Sequence, residues 1–126
     1  RAMTAYLLIT GFIFLLFGLG ALFKPIETIA FPYSLNADNV DAKNYLRSGA
    51  GGVTVACAVV FIAAAFIPTL VFSALLLAVV LMGGLLFGRM VSLALDGKPG
   101  IVPRIAAGGE VLGFALGVYW LWGIGV

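Results

Sequence analysis

Four stretches of this chain are each apolar enough and long enough to cross a lipid bilayer. A hydrocarbon core about 30 Å thick needs roughly 20 predominantly apolar residues per helix. Stretches of that kind run over residues 4–23, 44–67, 68–95 and 101–126. Because they use most of the chain and leave only one long connection, loop 24–43, we expect a single four-helix transmembrane domain over residues 1–126.

The composition excludes a water-soluble fold. Of the 126 residues, 63% are hydrophobic and 10% are charged, and the mean hydropathy is +1.22. So apolar a chain has too little polar surface to cover a globule in water. The sequence therefore predicts an all-α integral membrane protein whose four helices form one compact bundle. The expected location is a bacterial inner membrane or an organelle membrane such as the thylakoid.

The first apolar stretch is predicted to be a retained helix and not a secretory signal. It is as long as a full span and ends at Phe23-Lys24-Pro25, with no small-x-small cleavage motif beside it. Because the chain begins at Arg1 and not at methionine, removal of an upstream targeting segment is one expectation.

Helix-breaking residues mark the ends of the stretches. Loop 24–43 contains two prolines and the polar run 36–41, and residues 96–100 form a tight turn of Asp, Gly, Lys, Pro and Gly. Pro68 can open the third helix because a first-turn proline loses no hydrogen bond. Apolar and polar residues mix over residues 25–31, which indicates a short helix along the membrane interface.

Short matches between the two halves indicate two repeated helical hairpins. Residues 15–18 and 85–88 both read Leu-Leu-Phe-Gly, and Arg47 and Arg104 each open an Arg-x-x-Ala-Gly-Gly pattern. A parallel repeat would relate the hairpins by a pseudo-two-fold axis along the membrane normal. Chance in a chain rich in leucine and glycine explains such short identities equally well.

Glycine spacing is interpreted as helix packing. Lipid supplies no hydrophobic drive between helices, so bundles are held by small residues that let backbones approach. Gly84 and Gly88 share one helix face, and Gly109, Gly113 and Gly117 share another. We expect both stripes to lie at helix contacts.

Six polar residues lie in or beside the apolar stretches and form a predicted intramembrane polar cluster. They are Arg47, Arg89, Ser92, Asp96, Arg104 and Glu110. At 1.5 Å per residue, Arg89 and Glu110 reach similar depths on either side of the 96–100 turn. A lone charge at that depth costs roughly 2.5–3.5 kcal/mol on insertion scales. We therefore expect an ion pair, direct or through one water.

A ligand site is the functional alternative for this cluster. There Glu110 would meet a cofactor, the magnesium of a chlorophyll, or a proton. Arg47 and Arg104 would form a basic rim nearby. In a photosynthetic complex, chlorophyll or carotenoid would be the bound pigment.

Missing residue types narrow the chemistry further. The chain has no histidine and one cysteine, Cys57, so the usual haem and zinc ligands and every Ser-His-Asp or Cys-His catalytic set are lacking. Asp38, Asn39 and Asp41 lack the ligand spacing of a calcium loop and are expected to cap the second helix. The net charge of +2 is too small to indicate nucleic-acid binding. We expect neither catalysis nor a metal site.

One pattern of polar residues and glycines extends over nearly the whole chain. Its members are Arg47 with the glycines after it, Gly88-Arg89, Ser92, Asp96-Gly97, Pro99 and Glu110. The pattern resembles an uncharacterised family of small four-helix membrane proteins, known only as a domain of unknown function and similar in layout to the DoxX-like proteins. The resemblance implies a four-helix architecture and importance for Arg47, Arg89, Asp96 and Glu110. It implies no activity.

Two classes of function remain. The first is a non-catalytic accessory subunit of a larger photosynthetic or respiratory membrane complex, which would contact partner proteins, membrane lipids or pigment. Small size and the lack of catalytic residues favour it. The second is an autonomous binder, carrier or redox accessory protein for a lipid, a quinone or a small solute, with Arg89 and Glu110 lining its cavity.

Overall fold

The computed structural model describes residues 1–124 and is helical almost throughout. Four helices are long and apolar enough to span a membrane: α1 (Ala2–Phe23), α2 (Val40–Phe66), α3 (Pro68–Asp96) and α4 (Ile101–Gly123). No strand occurs among the described residues. The predicted class, an all-α protein with four membrane-spanning helices, is confirmed. The predicted end of the fourth span at Val126 lies outside the described residues.

The second helix begins at Val40, earlier than the predicted residue 44. Its start is set by Asn39, whose Oδ1 accepts a hydrogen bond from the backbone N–H of Ala42 at 2.7 Å. Such a cap satisfies a backbone donor that has no partner within the helix. Loop 24–43 is therefore shorter than predicted. Pro68 opens α3 through a single 3₁₀ turn, as expected.

Part of the remaining loop is also helical. A π-helical turn covers Ile26–Ala30, where the sequence indicated a short interfacial helix. Beyond it, the N–H of Leu35 donates to Ala30 O at 2.7 Å and the N–H of Ser34 donates to Phe31 O at 3.1 Å. These two bonds form a Schellman motif, which ends a helix with one residue in the left-handed region. That residue is Ser34, with φ of 59°.

Replacing Ser34 by glycine is expected to stabilise the protein by up to about 1 kcal/mol, because glycine adopts positive φ without a Cβ clash. Ser73→Gly is the control, since Ser73 is an exposed residue within α3 and glycine inside a helix costs roughly 0.5–1 kcal/mol. Thermal unfolding in detergent measures both changes. A loss of stability in Ser34→Gly would show that the left-handed position is not strained.

The chain divides into two compact units, Arg1–Pro68 and the part from Thr69 onward. In the first unit α1 and α2 pack antiparallel. Gly11 of α1 lies against Phe61 and Ile62 of α2. Phe61, which is fully buried, also meets Phe14 edge to face at 5.4 Å between ring centroids. Close backbone approach at glycine and an aromatic contact thus hold this hairpin together.

The other end of the first hairpin is still tighter. Gly18 lies against Val55, and a Cβ on Gly51 would lie 2.9 Å from the backbone N of Leu22. Gly51 belongs to a π-helical segment of α2, Leu46–Gly52. Only glycine permits this approach of α2 to the end of α1.

In the second unit α3 and α4 also pack antiparallel. Met82 lies against Gly113, and Gly83 lies against Phe114. Gly113 and Gly117 are buried in α4, in agreement with the glycine stripe predicted there.

The predicted contact role of Gly84, Gly88 and Gly109 is wrong within the described residues, because a Cβ added at each would meet nothing within 4 Å. The physical reason is helix rotation. Successive residues of a helix are rotated by about 100° around its axis. Because the face of α3 that carries Met82 contacts α4, Gly84 and Gly88 lie on a different face of α3. Gly109 is one position from Glu110 and is turned aside in the same way.

The two halves share the hairpin topology but not its detailed contacts. Gly18 is buried against Val55, whereas Gly88, its match in the repeated Leu-Leu-Phe-Gly motif, is exposed in open space. The glycines of the two matched tetrapeptides therefore have different structural roles.

Candidate functional site

Arg89 and Glu110 form a bidentate ion pair between α3 and α4. Arg89 Nε donates to Glu110 Oε1 at 2.6 Å, and Arg89 Nη2 donates to Glu110 Oε2 at 2.7 Å. This fork-to-fork geometry is the strongest form of an Arg–carboxylate contact. The predicted direct contact between these two residues is confirmed.

Helix geometry brings the two side chains level. Arg89 lies seven residues before the end of α3 at Asp96, and Glu110 lies nine residues after the start of α4 at Ile101. With 1.5 Å of rise per residue, both are roughly 10–14 Å from the turn between the helices. The turn itself is fixed by Gly97, whose φ of 95° is one that L side chains rarely adopt.

The ion pair is partly buried. The Arg89 side chain is 28% exposed and that of Glu110 is 14% exposed. Mutual neutralisation lowers the cost of placing both charges at this depth. Since each carboxylate oxygen accepts from Arg89, a magnesium ion or a proton at Glu110 would have to compete with the guanidinium for the same charge.

Two other members of the predicted cluster lie closer to the turn and bond to each other. Ser92 Oγ donates to Asp96 Oδ2 at 2.9 Å, and both residues are exposed. They share the helix face predicted from their spacing. This contact links two successive turns at the end of α3.

The two remaining arginines each bind a main-chain carbonyl in their own unit. Arg104 Nε donates to Gly100 O at 3.2 Å, within the first turn of α4. Arg47 Nη1 donates across the first hairpin to Leu22 O. The predicted basic rim around Glu110 stays a prediction, as does the functional importance of the cluster as a whole.

The contact of Arg47 is a helix cap supplied by a neighbouring helix. The last carbonyls of α1 have no partner within the helix, and a cation at that end also interacts favourably with the helix dipole. Sequence reasoning missed this clamp. The available signal was the spacing of Arg47 and Gly51, which puts both on one face of α2 without indicating the partner of that face.

Among residues 1–124 no group of three or more His, Cys, Asp or Glu side chains is placed to hold a metal ion. Cys57 is a buried free thiol within α2. Its position fits a small packing residue.

The family model of DUF4345, a domain of unknown function, matches residues 2–121. No curated protein and no solved structure matches the chain. The likeness in layout to DoxX-like proteins stays a prediction. Because the family model covers nearly the whole chain, the protein belongs to the DUF4345 family.

Proposed function

We propose that this protein is a non-catalytic accessory subunit of a larger membrane complex, of photosynthetic or respiratory type, and that it docks on partner helices mainly through α4. The observation that carries the proposal is the low burial of α4. Only 6% of its apolar window is buried within the protein, against 33% for α1, 28% for α2 and 22% for α3. Much of the surface of α4 is therefore left uncovered by α3, its partner in the hairpin.

The composition of α4 favours protein over lipid as that neighbour. Its mean hydropathy is 1.5, the lowest of the four helices, whereas α3 reaches 2.7. Gly108 and Gly109 have open space around them. Small residues on an uncovered helix face are what close packing of a second transmembrane helix requires.

The ion pair fits a supporting role in this proposal. Arg89 and Glu110 lock the register of α3 against α4, so the outer face of α4 is presented by a rigid hairpin. A docking subunit needs such a preformed face because flexibility would raise the entropic cost of association.

A second candidate rests on the partial exposure of the pair. With Arg89 28% exposed, a hydrogen-bond acceptor such as the carbonyl of a quinone or the headgroup of a lipid has access to it. An autonomous binder or carrier would then use the Arg89–Glu110 pair as its polar anchor.

Photocrosslinking tests the docking face. A benzophenone side chain in place of Leu112, on the face of Gly108 and Gly109, is expected to give a protein adduct of one discrete mass in native membranes. The control is the same probe at Val59 of α2, because Leu112 and Val59 are similarly exposed, at 62% and 57%. Adding Gly109→Leu is expected to remove the adduct. Equal adducts from both positions, or none from Leu112, would contradict the proposal.

A further inference from the structure

We propose that the protein binds the zwitterionic headgroup of a phospholipid, with phosphatidylethanolamine preferred, in a groove between the Ile26–Ala30 turn and the start of α2. In this site the Lys43 ammonium contacts the lipid phosphate and the Asp38 carboxylate contacts the lipid ammonium. The inference is independent of the docking function proposed for α4, because every residue it uses lies in the first unit.

The groove, called the loop groove below, has a volume of about 340 Å³. Most of its lining is apolar and includes Ala30, Phe31, Leu35 and Ala37. Ala30 and Ala37 are buried and pack with Leu46 in a small core of their own. The groove is therefore formed by an ordered part of the loop.

Two opposite charges line the loop groove. Asn39 caps α2, so Asp38 and Lys43 occupy the positions just before the cap and four residues after it. Those two positions lie side by side at a helix start and usually hold a pair of apolar side chains. Here both line the groove, and neither side chain has a hydrogen-bond or ion-pair partner among residues 1–124.

The groove lies next to the ends of two membrane spans, where lipid headgroups are present. It lies on the connection between α1 and α2, both of which are long and apolar enough to span the membrane. Phe31 is 82% exposed and Leu35 is 51% exposed on the same connection. Apolar side chains of that size next to the end of a membrane span belong at the boundary of headgroups and acyl chains.

The charge balance selects the kind of headgroup. Binding of anionic lipid is typical of clusters of about 4–8 Lys and Arg residues. Residues 24–47 instead carry three basic and three acidic side chains. A cation and an anion at one apolar groove complement a zwitterion, whose phosphate suits Lys and whose primary ammonium donates hydrogen bonds to a carboxylate.

Native mass spectrometry of the full chain, purified in detergent, tests the preference. The protein is incubated with equal amounts of phosphatidylethanolamine, phosphatidylcholine and phosphatidylglycerol, and the retained lipid is counted. We expect phosphatidylethanolamine to be retained roughly fivefold over phosphatidylglycerol, the ratio that one semi-exposed ion pair supplies. Equal retention of the three lipids, or a preference for phosphatidylglycerol, would overturn the proposal.

Variants of the two groove residues separate their roles. Asp38→Asn is expected to abolish the preference for phosphatidylethanolamine over phosphatidylglycerol, because it removes the partner of the ammonium. Lys43→Gln is expected to lower retention of both lipids, because both carry phosphate. The exchange Asp38→Lys with Lys43→Asp keeps the net charge and is expected to lower retention, because it reverses the positions of the two charges that the phosphate and the ammonium contact.

Lys24→Gln and Glu27→Gln are the matched controls. Both residues are exposed charges of the same segment that do not line the loop groove, so retention should stay as in the unchanged chain. Circular dichroism establishes that each variant keeps its helices. Equal effects of the control and groove substitutions would reduce the binding to general surface charge and overturn the proposal.

Discussion

Glu110→Gln is expected to destabilise the protein by roughly 2–3 kcal/mol, somewhat less than the 3–5 kcal/mol typical of breaking a fully buried pair. The smaller value reflects the 28% exposure of Arg89, which keeps some solvation when its partner is neutralised. Unfolding in mixed detergent and SDS measures the change. Asp96→Asn is the matched control in the same hairpin, because Asp96 is exposed, and its effect is expected to stay within about 0.5 kcal/mol.

Replacing both members of the pair distinguishes the destabilisation caused by removing one charge from the net contribution of the ion pair to stability. Arg89→Leu with Glu110→Leu is expected to lie within about 1 kcal/mol of the unchanged chain, since apolar residues often replace a buried ion pair without loss. A double variant as unstable as Glu110→Gln would show that the pair itself stabilises the hairpin. That result would contradict the expectation that Glu110→Gln acts by removing the carboxylate that neutralises the charge of Arg89.

Gly51→Ala is expected to cost about 2–3 kcal/mol, at the upper end of what overpacking costs in a core. The new Cβ would lie 2.9 Å from the backbone N and 3.1 Å from the Cα of Leu22. Backbone atoms cannot turn aside as a flexible side chain can, so α1 and α2 must separate. That separation would also weaken the cap from Arg47 to Leu22 O.

Two neighbouring glycines provide the controls for this prediction. A Cβ at Gly49 would meet its nearest neighbour at 3.9 Å and one at Gly52 at 3.7 Å, both ordinary contacts. Alanine there is expected to be neutral or to stabilise α2 by up to about 1 kcal/mol, because alanine is the better helix former. The same denaturation assay compares the three variants. Similar stability for all three would refute the close approach of α2 to Leu22.

The helices and the ion pair were predictable because each rests on a one-dimensional quantity. Span length and hydropathy locate the four helices, and rise per residue places Arg89 and Glu110 at similar depth. The start of α2 was misplaced because Val40 and Asp41 extend the helix outside the apolar stretch, where only the Asn39 cap marks its first turn.

The face that each helix turns toward its neighbour could not be predicted in the same way. Helices that are apolar on nearly every side carry no pattern that marks the face toward a neighbour. Spacing alone therefore treated Gly88 and Gly113 alike, although Gly113 is buried and Gly88 is exposed. The cap that Arg47 provides is also a contact between helices, and its partner is a carbonyl that sequence cannot single out.

The mass of the complex in its own membrane tests the docking function most directly. The protein is extracted with a polymer that retains the surrounding lipid. The mass of the intact particle is then measured for the unchanged chain and for the Gly109→Leu variant. We predict an assembly of fixed composition that contains at least one other membrane protein and is dissociated by Gly109→Leu. A particle of this chain alone, unchanged by Gly109→Leu and showing turnover or saturable transport that Glu110→Gln abolishes, would contradict the account.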